Sequence, residues 1–322
     1  MRHFHPLLLL VPVSVFAASL GGPVAGYATF ANGSELRAIL GTPGSYRFSG
    51  PLPLPEPAVR VYPAPGSNFA LVESDGGLGV VVYNGDAIES SADMAGGIAL
   101  ADWVAFSVDA GAAVLFSSRE NRLQIWSGLP ASARLTLEVA ADTLPARPIS
   151  AAVSEDGKTV LIASRNAVHL LPAGGAPRLL LASDLIGSLT MLRNGTDAAV
   201  ADRGAGAVQL LRNVTGSADV RALVSGMEDV GAVYPSSDGA SLYVAIPNVN
   251  SMASVDLGTG SMETFETGAP ALALTRLRNR DTFLISAKPN QPGWVFFRED
   301  AGARAGRTVF IPAVPRIEEV AQ

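Results

Sequence analysis

From about Pro57 onward, short runs of apolar and β-branched residues alternate with polar breaks, and the same order of runs returns six times. In each unit one run leads into a tight polar turn, a second follows, a polar loop leads to a third, and most units add a fourth. The first runs span 59–62, 104–107, 149–154, 189–192, 230–234 and 272–275, and the second runs 69–72, 114–117, 160–164, 198–201, 242–245 and 283–286. Third runs lie at 80–83, 123–126, 168–171, 208–211, 253–257 and 294–297, with fourth runs at 135–139, 178–181, 220–224, 262–265 and 308–311. Runs this short, rich in Val, Ile and Leu and bounded by Gly, Pro, Asn and Ser, predict β-strands. The turns read Pro65-Gly66, Asp109-Ala110, Asp156-Gly157, Asn194-Gly195, Asp238-Gly239 and Asn279-Arg280. Asn-Gly and Asp-Gly supply the positive φ of a two-residue hairpin turn.

The second turn residues recur about every 43 residues, the period of a four-stranded propeller blade. Helical solenoids of similar period need amphipathic runs of ten or more residues, and the repeats contain none. Ahead of them, residues 26–30, 36–40 and 45–49 predict two or three further strands around Asn32-Gly33, before a proline-rich connection from Pro51 to Pro65. The expectation is an all-β protein: a β-propeller of four-stranded antiparallel blades in one domain. Seven blades is the reading taken, with an atypical first blade (19–56), six repeat units (57–311) and a C-terminal closure or tail (312–322). Residues 316–321 are the candidate for closure. Six blades plus an N-terminal hairpin is the alternative.

One unit carries a family resemblance. Ser236-Ser237-Asp238-Gly239, then Leu242-Tyr243-Val244-Ala245, Asn248-Val249-Asn250 and Val255-Asp256-Leu257-Gly258-Thr259-Gly260, resembles the YVTN-type repeat of surface-layer and lactonase-like propellers. The other units match it less, residues 154–171 being the next best. The resemblance implies the fold and leaves function open, because such repeats host binding, scaffolding and enzymatic roles alike.

The first residues have the layout of a secretory signal: Arg2, His3 and His5, an apolar run over 7–18, and small residues at Ala17-Ala18-Ser19. Cleavage near residue 18 would release a secreted or periplasmic protein with no membrane span. An uncleaved anchor is the weaker reading, because the run is shorter than a bilayer requires and Pro12 interrupts it. The chain has no cysteine, so lipid attachment at a cleavage-site Cys, disulfides and thiolate metal sites are all excluded. Its formal charge is −6, more negative still once Arg2 leaves, which argues against nucleic acid as a partner. Charged residues make up only 16% of the chain, as expected where many short strands are buried on both faces.

Catalytic residue types are scarce. Of three histidines, two leave with the signal, and His169 lies within an apolar third run. That excludes the usual His/Cys zinc sites and argues against a Ser-His-Asp arrangement, and there is no Gly-x-Ser-x-Gly elbow. Gly76-Gly77-Leu78-Gly79 and Gly204-Ala205-Gly206 precede strands rather than helices, so they read as turn glycines, not phosphate cradles. Sequons at Asn32, Asn194 and Asn213 matter only in a glycosylating host. Trp103, Trp126 and Trp294 are expected to pack between blades.

The loops between second and third runs hold most of the remaining polar candidates: Asp75, Arg119-Glu120-Asn121, Arg165-Asn166, Asp202-Arg203, Asn248 with Asn250, and Lys288 with Asn290. In a propeller these loops share the face on which the chain crosses between blades. There Arg119, Asn121, Arg165, Asn166, Asp202, Arg203, Asn248, Asn250, Lys288 and Asn290 form a candidate polar ring for a small anionic or polyhydroxylated ligand. The bland alternative is that Asn and Arg simply suit exposed loops. The leading expectation is an exported, monomeric, non-enzymatic binding or scaffold module for a protein or glycan of the cell envelope, with no cofactor. A second is a lactonase-like hydrolase or isomerase with an oxygen-ligated divalent ion such as Ca²⁺ held by Glu120, Asp202 and Asn248. A third is a purely structural surface protein.

Overall fold

The computed structural model describes residues 22–286, 291–298 and 306–313; the expected signal (1–18), Lys288, Asn290 and the closing segment 316–321 lie outside them. Seven antiparallel sheets follow one another along the chain. The first blade has β1 (Val24–Phe30), β2 (Glu35–Leu40) and β3 (Arg47–Pro51); the second has β4 (Ala58–Pro63), β5 (Phe69–Ser74), β6 (Gly77–Asn84) and β7 (Ala87–Asp93). The third comprises β8 (Trp103–Phe106), β9 (Ala112–Ser117), β10 (Arg122–Ser127) and β11 (Arg134–Ala140), and the fourth β12 (Ser150–Val153), β13 (Val160–Ala163), β14 (Ala167–Leu171) and β15 (Arg178–Ala182). The fifth is β16 (Ile186–Met191), β17 (Ala198–Asp202), β18 (Ala207–Arg212) and β19 (Asp219–Ser225). The sixth is β20 (Val233–Pro235), β21 (Ser241–Ile246), β22 (Ser251–Asp256) and β23 (Met262–Glu266), and the seventh β24 (Thr275–Arg276), β25 (Thr282–Ser286), β26 (Gly293–Arg298) and β27 (Gly306–Ile311). This is a seven-bladed β-propeller. Six blades have four strands, and the first has three among the described residues.

Period-two patterning builds the core between blades rather than within them. On β9, Ala113 and Leu115 pack with Phe69, Leu71 and Val80 of the second blade, whereas Val114 and Phe116 face Val160 and Ile162 of the fourth. Second strands are therefore buried on both faces, as on β9, β13 and β17. Outer strands carry the polar residues. β7, with the sequence Ala-Ile-Glu-Ser-Ser-Ala-Asp, is almost wholly exposed and escapes an apolar search for that reason. Trp126 packs between the second and third blades, and Trp103 stacks on Phe116 against the fourth.

The hairpin turns differ in detail from the two-residue form. Gly157 N–H bonds the Ser154 carbonyl and Ser154 N–H bonds the Thr159 carbonyl, both at 2.9 Å, which makes a four-residue loop with Gly157 in the left-handed region (φ 74°). The left-handed residue falls where expected at Gly66, Ala110, Gly157, Gly195 and Gly239, but at Asp281 rather than Arg280 in the last unit.

Candidate functional site

Strand pairing separates the two ends of the propeller. The start of β4 pairs with the end of β5 (Ala58 with Ser74), and Ile186 of β16 pairs with Asp202 of β17. Each crossing into an inner strand therefore shares one face with the loop after the second strand, termed here the crossing face. The tight turns after the inner strands lie at the opposite face.

On the crossing face, many of the polar residues expected as a ring are engaged with neighbouring backbone. Glu120 Oε1 accepts the Ala99 and Leu100 N–H groups (2.9 and 3.2 Å), and its Oε2 pairs with Arg122 at 3.2 Å. Asp202 is buried and accepts bonds from Ser183 Oγ, the Ala205 N–H and Gln209. Arg203 pairs with Asp229 at 2.7 Å. Asn121 and Asn250 take left-handed backbone (φ 53° and 50°), and Asn121 Oδ1 also accepts the Asp142 N–H. Asn166 accepts from Ser164 Oγ, and Asn248 is exposed. Glu120 thus satisfies backbone donors of the crossing from the second blade to the third, which lacks a sheet to bond to, whereas Asp202 holds its own loop and the Ser183 side chain of a crossing. Arg119, Arg165, Asn248 and Asn250 are the exceptions: all are exposed, and none of their side chains has a polar partner among the described residues.

Glu73, at the end of β5, is buried; its Oε1 accepts the Ala101 N–H at 2.7 Å and the Tyr62 hydroxyl at 3.2 Å, while Oε2 has no partner among the described residues. Burial raises its pKa, against the lowering effect of those hydrogen bonds and of Arg60.

The inner strands enclose an axial cavity of about 410 Å³, with Thr29, Tyr62, Phe106, Ser150, Thr190, Tyr234 and Thr275 among its lining residues. At the turn face a network crosses the axis. Asp109 of the third blade receives Arg193 of the fifth and Arg276 of the seventh, each at 2.7 Å, and the Tyr234 hydroxyl of the sixth donates to the Val108 carbonyl at 2.7 Å. Burial works to raise the Asp109 pKa, but hydrogen bonds from Arg276 and Arg193 outweigh it and hold the carboxyl below the usual carboxylate range. Burial also pushes the Tyr234 hydroxyl up to about 12, so it remains a donor at neutral pH.

Two local features free Asp109 for this role. In the fourth and sixth turns Ser154 and Ser236 donate to Asp156 and Asp238 two residues on (2.7 and 2.6 Å). In the third, Ser107 Oγ instead donates to Glu155 at 2.8 Å, so the Asp109 carboxylate turns across the axis. Arg276 is the second feature. It precedes the bond closing its turn, a position held by Pro63, Phe106, Val153, Met191 and Pro235 in the other repeats. Reading the sequence strand by strand missed this network. An arginine in an otherwise apolar repeat column was the available signal.

Exposed large apolar side chains form two groups. Leu135, Leu179, Met262 and Phe310 lie on outer strands, whereas Val59, Ile149, Val249 and Leu272 all lie on the crossing face, each 44–53% exposed.

Compared with known proteins, the chain matches no family model and no curated protein. Among solved structures it is similar to hydrazine synthase from Kuenenia stuttgartiensis, at 12% identity and TM-score 0.54, covering 92% of this chain and 98% of that one. It is also similar to a functionally unknown protein from Desulfotomaculum acetoxidans DSM 771 (14% identity, TM-score 0.46, 77% and 90% covered) and to a chain of a nidogen/laminin complex (14%, 0.45, 75% and 94%). At these identities the likeness concerns the fold alone. The class is that of seven-bladed β-propellers. No helix among the described residues is long and apolar enough to cross a membrane.

Proposed function

We propose that this chain is an exported, non-enzymatic binding module that engages a protein partner of the cell envelope through its crossing face. The observation that carries the reading is an asymmetry between the two ends. At the turn face the polar side chains near the axis are tied to one another across it by Asp109, Arg193, Arg276 and Tyr234. The crossing face presents Val59, Ile149 and Val249 together with the unpaired Arg119 and Arg165. Apolar side chains beside free guanidinium groups suit a protein surface bearing apolar residues and carboxylates. Within the polar ring, Arg119 and Arg165 are the described arginines whose guanidinium groups have no polar partner among the described residues.

Kinship with YVTN-type propellers fits the Ser236-x-Asp238-Gly239 turn, whose hydrogen bonds explain why that motif repeats. Export rests on the N-terminal pattern, and N-terminal sequencing of protein recovered from the periplasm or medium tests it: a start near Ser19 is expected, an intact Met1 would refute it. The oxygen-ligated metal reading fits less well, because Glu120 and Asp202 already spend their carboxylates on backbone and side-chain donors. For the binding face, the paired variant Arg119→Glu, Arg165→Glu should lower partner recovery at least tenfold in envelope pull-downs without changing Tm, while Lys158→Glu at the turn face should not. Equal recovery from all three proteins would refute the proposal.

A further inference from the structure

Three of the exposed aliphatic side chains on the crossing face stand just upstream of residues that line the axial cavity. Ile149 (44% exposed) precedes Ser150, Val59 (45%) lies two residues before Val61, and Leu272 (53%) lies three before Thr275. Each of the three opens or precedes an inner strand, so together they border the crossing end of the channel. A smaller opening bordered by Leu272 joins the cavity at Thr29, Pro63 and Thr275, which line both. At the opposite end Asp109, Arg193 and Arg276 stand across the axis. The cavity is therefore a cup entered from the crossing face. Ile149 also lies in the crossing that joins the third blade, which carries Arg119, to the fourth, which carries Arg165. Arginines, aliphatic rim and cavity thus follow one another without a break.

Given that the crossing face is the binding face, we propose that the protein partner enters this cup with the tip of a loop or chain end. The tip is an uncharged aromatic side chain, Trp or Tyr, and carboxylates beside it pair with Arg119 and Arg165. No residue lining the cavity is charged, so a charged tip would give up its water without gaining a counter-ion. Tyr62, Phe106 and Tyr234 supply aromatic surface, and the hydroxyls of Thr29, Ser150 and Thr275 have no polar partner among the described residues. An apolar body with one polar group matches that lining, and Trp and Tyr have this form. The volume, about 410 Å³, takes one such side chain with its adjoining backbone. Aromatic anchors held in pockets are also where protein interfaces concentrate their binding energy. A small neutral molecule would fill the cavity but leave both arginines and the aliphatic rim uncovered. A protein segment covers all three.

The probe is an acetylated and amidated peptide, Asp-Asp-Gly-Trp-Gly-Asp-Asp, added to the isotope-labelled protein. It should bind saturably and shift the amide resonances of Ser150, Thr190 and Thr275, and replacing its Trp by Gly or Lys should weaken binding at least tenfold. Ser150→Phe narrows the cup, as does Thr275→Phe should the first variant fail to fold. Either should cut peptide affinity and partner recovery from the envelope at least tenfold with Tm kept. Absence of saturable binding, equal binding of the Gly peptide, or shifts confined to the loops of Arg119 and Arg165 would overturn the aromatic anchor. Parent-level partner recovery by Ser150→Phe, with the Arg119→Glu, Arg165→Glu pair still deficient, would overturn it too and leave the crossing-face reading standing. Parent-level recovery by both would remove both. N-acetyltryptophanamide binding as tightly as the peptide would make the cavity a small-molecule site, and nuclear Overhauser contacts from Thr275 to residues 314–322 would show the chain itself filling it. Either result overturns the proposal.

Discussion

Asp109 sits in a turn whose sequence, Ser107-Val108-Asp109-Ala110, looks like its counterparts Ser154 to Gly157 and Ser236 to Gly239, yet its carboxylate does different work. Because Ser107 is taken by Glu155, Asp109 bridges two arginines from blades on other sides of the axis. The carboxylate is half exposed, so each pair is worth less than a buried one, and Asp109→Ala should cost about 1–2 kcal/mol, less at high salt. Chemical denaturation at two ionic strengths checks both. Asp109, Asp156 and Asp238 all have pKa values lowered in the folded state. Their stabilisation is thus complete above the ordinary value of 3.8 and is lost as pH falls through the lower folded values. Glu73 has the opposite sign: its pKa is raised, so its contribution is full at low pH and declines as pH rises. Glu73→Gln should therefore raise Tm at pH 7 and match the parent near pH 4; a lower Tm at pH 7 would contradict this account of Glu73.

At the scale of turns and strands, the sequence is most legible where local chemistry decides the backbone. Asp-Gly and Asn-Gly mark the turns because a left-handed residue is needed there, and Gly157→Ala should cost about 1–2 kcal/mol through its positive φ, measurable by thermal unfolding. A Cβ there would also lie 3.1 Å from Ser127 Cβ. Second and third strands were readable because both faces are buried and their residues are uniformly apolar. β7 was not, because an outer strand held mainly by its backbone ladder to β6 can be almost wholly polar. The loop residues were the least legible. Asp202 and Arg203 look alike as exposed polar candidates in sequence, but one is buried against Ser183 and the other pairs with Asp229 across a blade boundary. Such pairings depend on which crossing segment lies alongside, and no local pattern encodes that.

For the whole molecule, the repeat period fixes the architecture, while the unequal ends argue for a direction of use. One end is cross-tied by side chains from the third, fifth, sixth and seventh blades. The other carries free arginines and exposed aliphatic residues. The most direct test of this polarity is photo-crosslinking in the native envelope, with a photoreactive residue placed singly at Val59, Ile149 or Val249 and, for comparison, at Lys158 or Asn194 on the turn face. A discrete adduct of one mass from the first three positions, absent from the last two, is the predicted result. Adducts confined to Lys158 and Asn194 would contradict it.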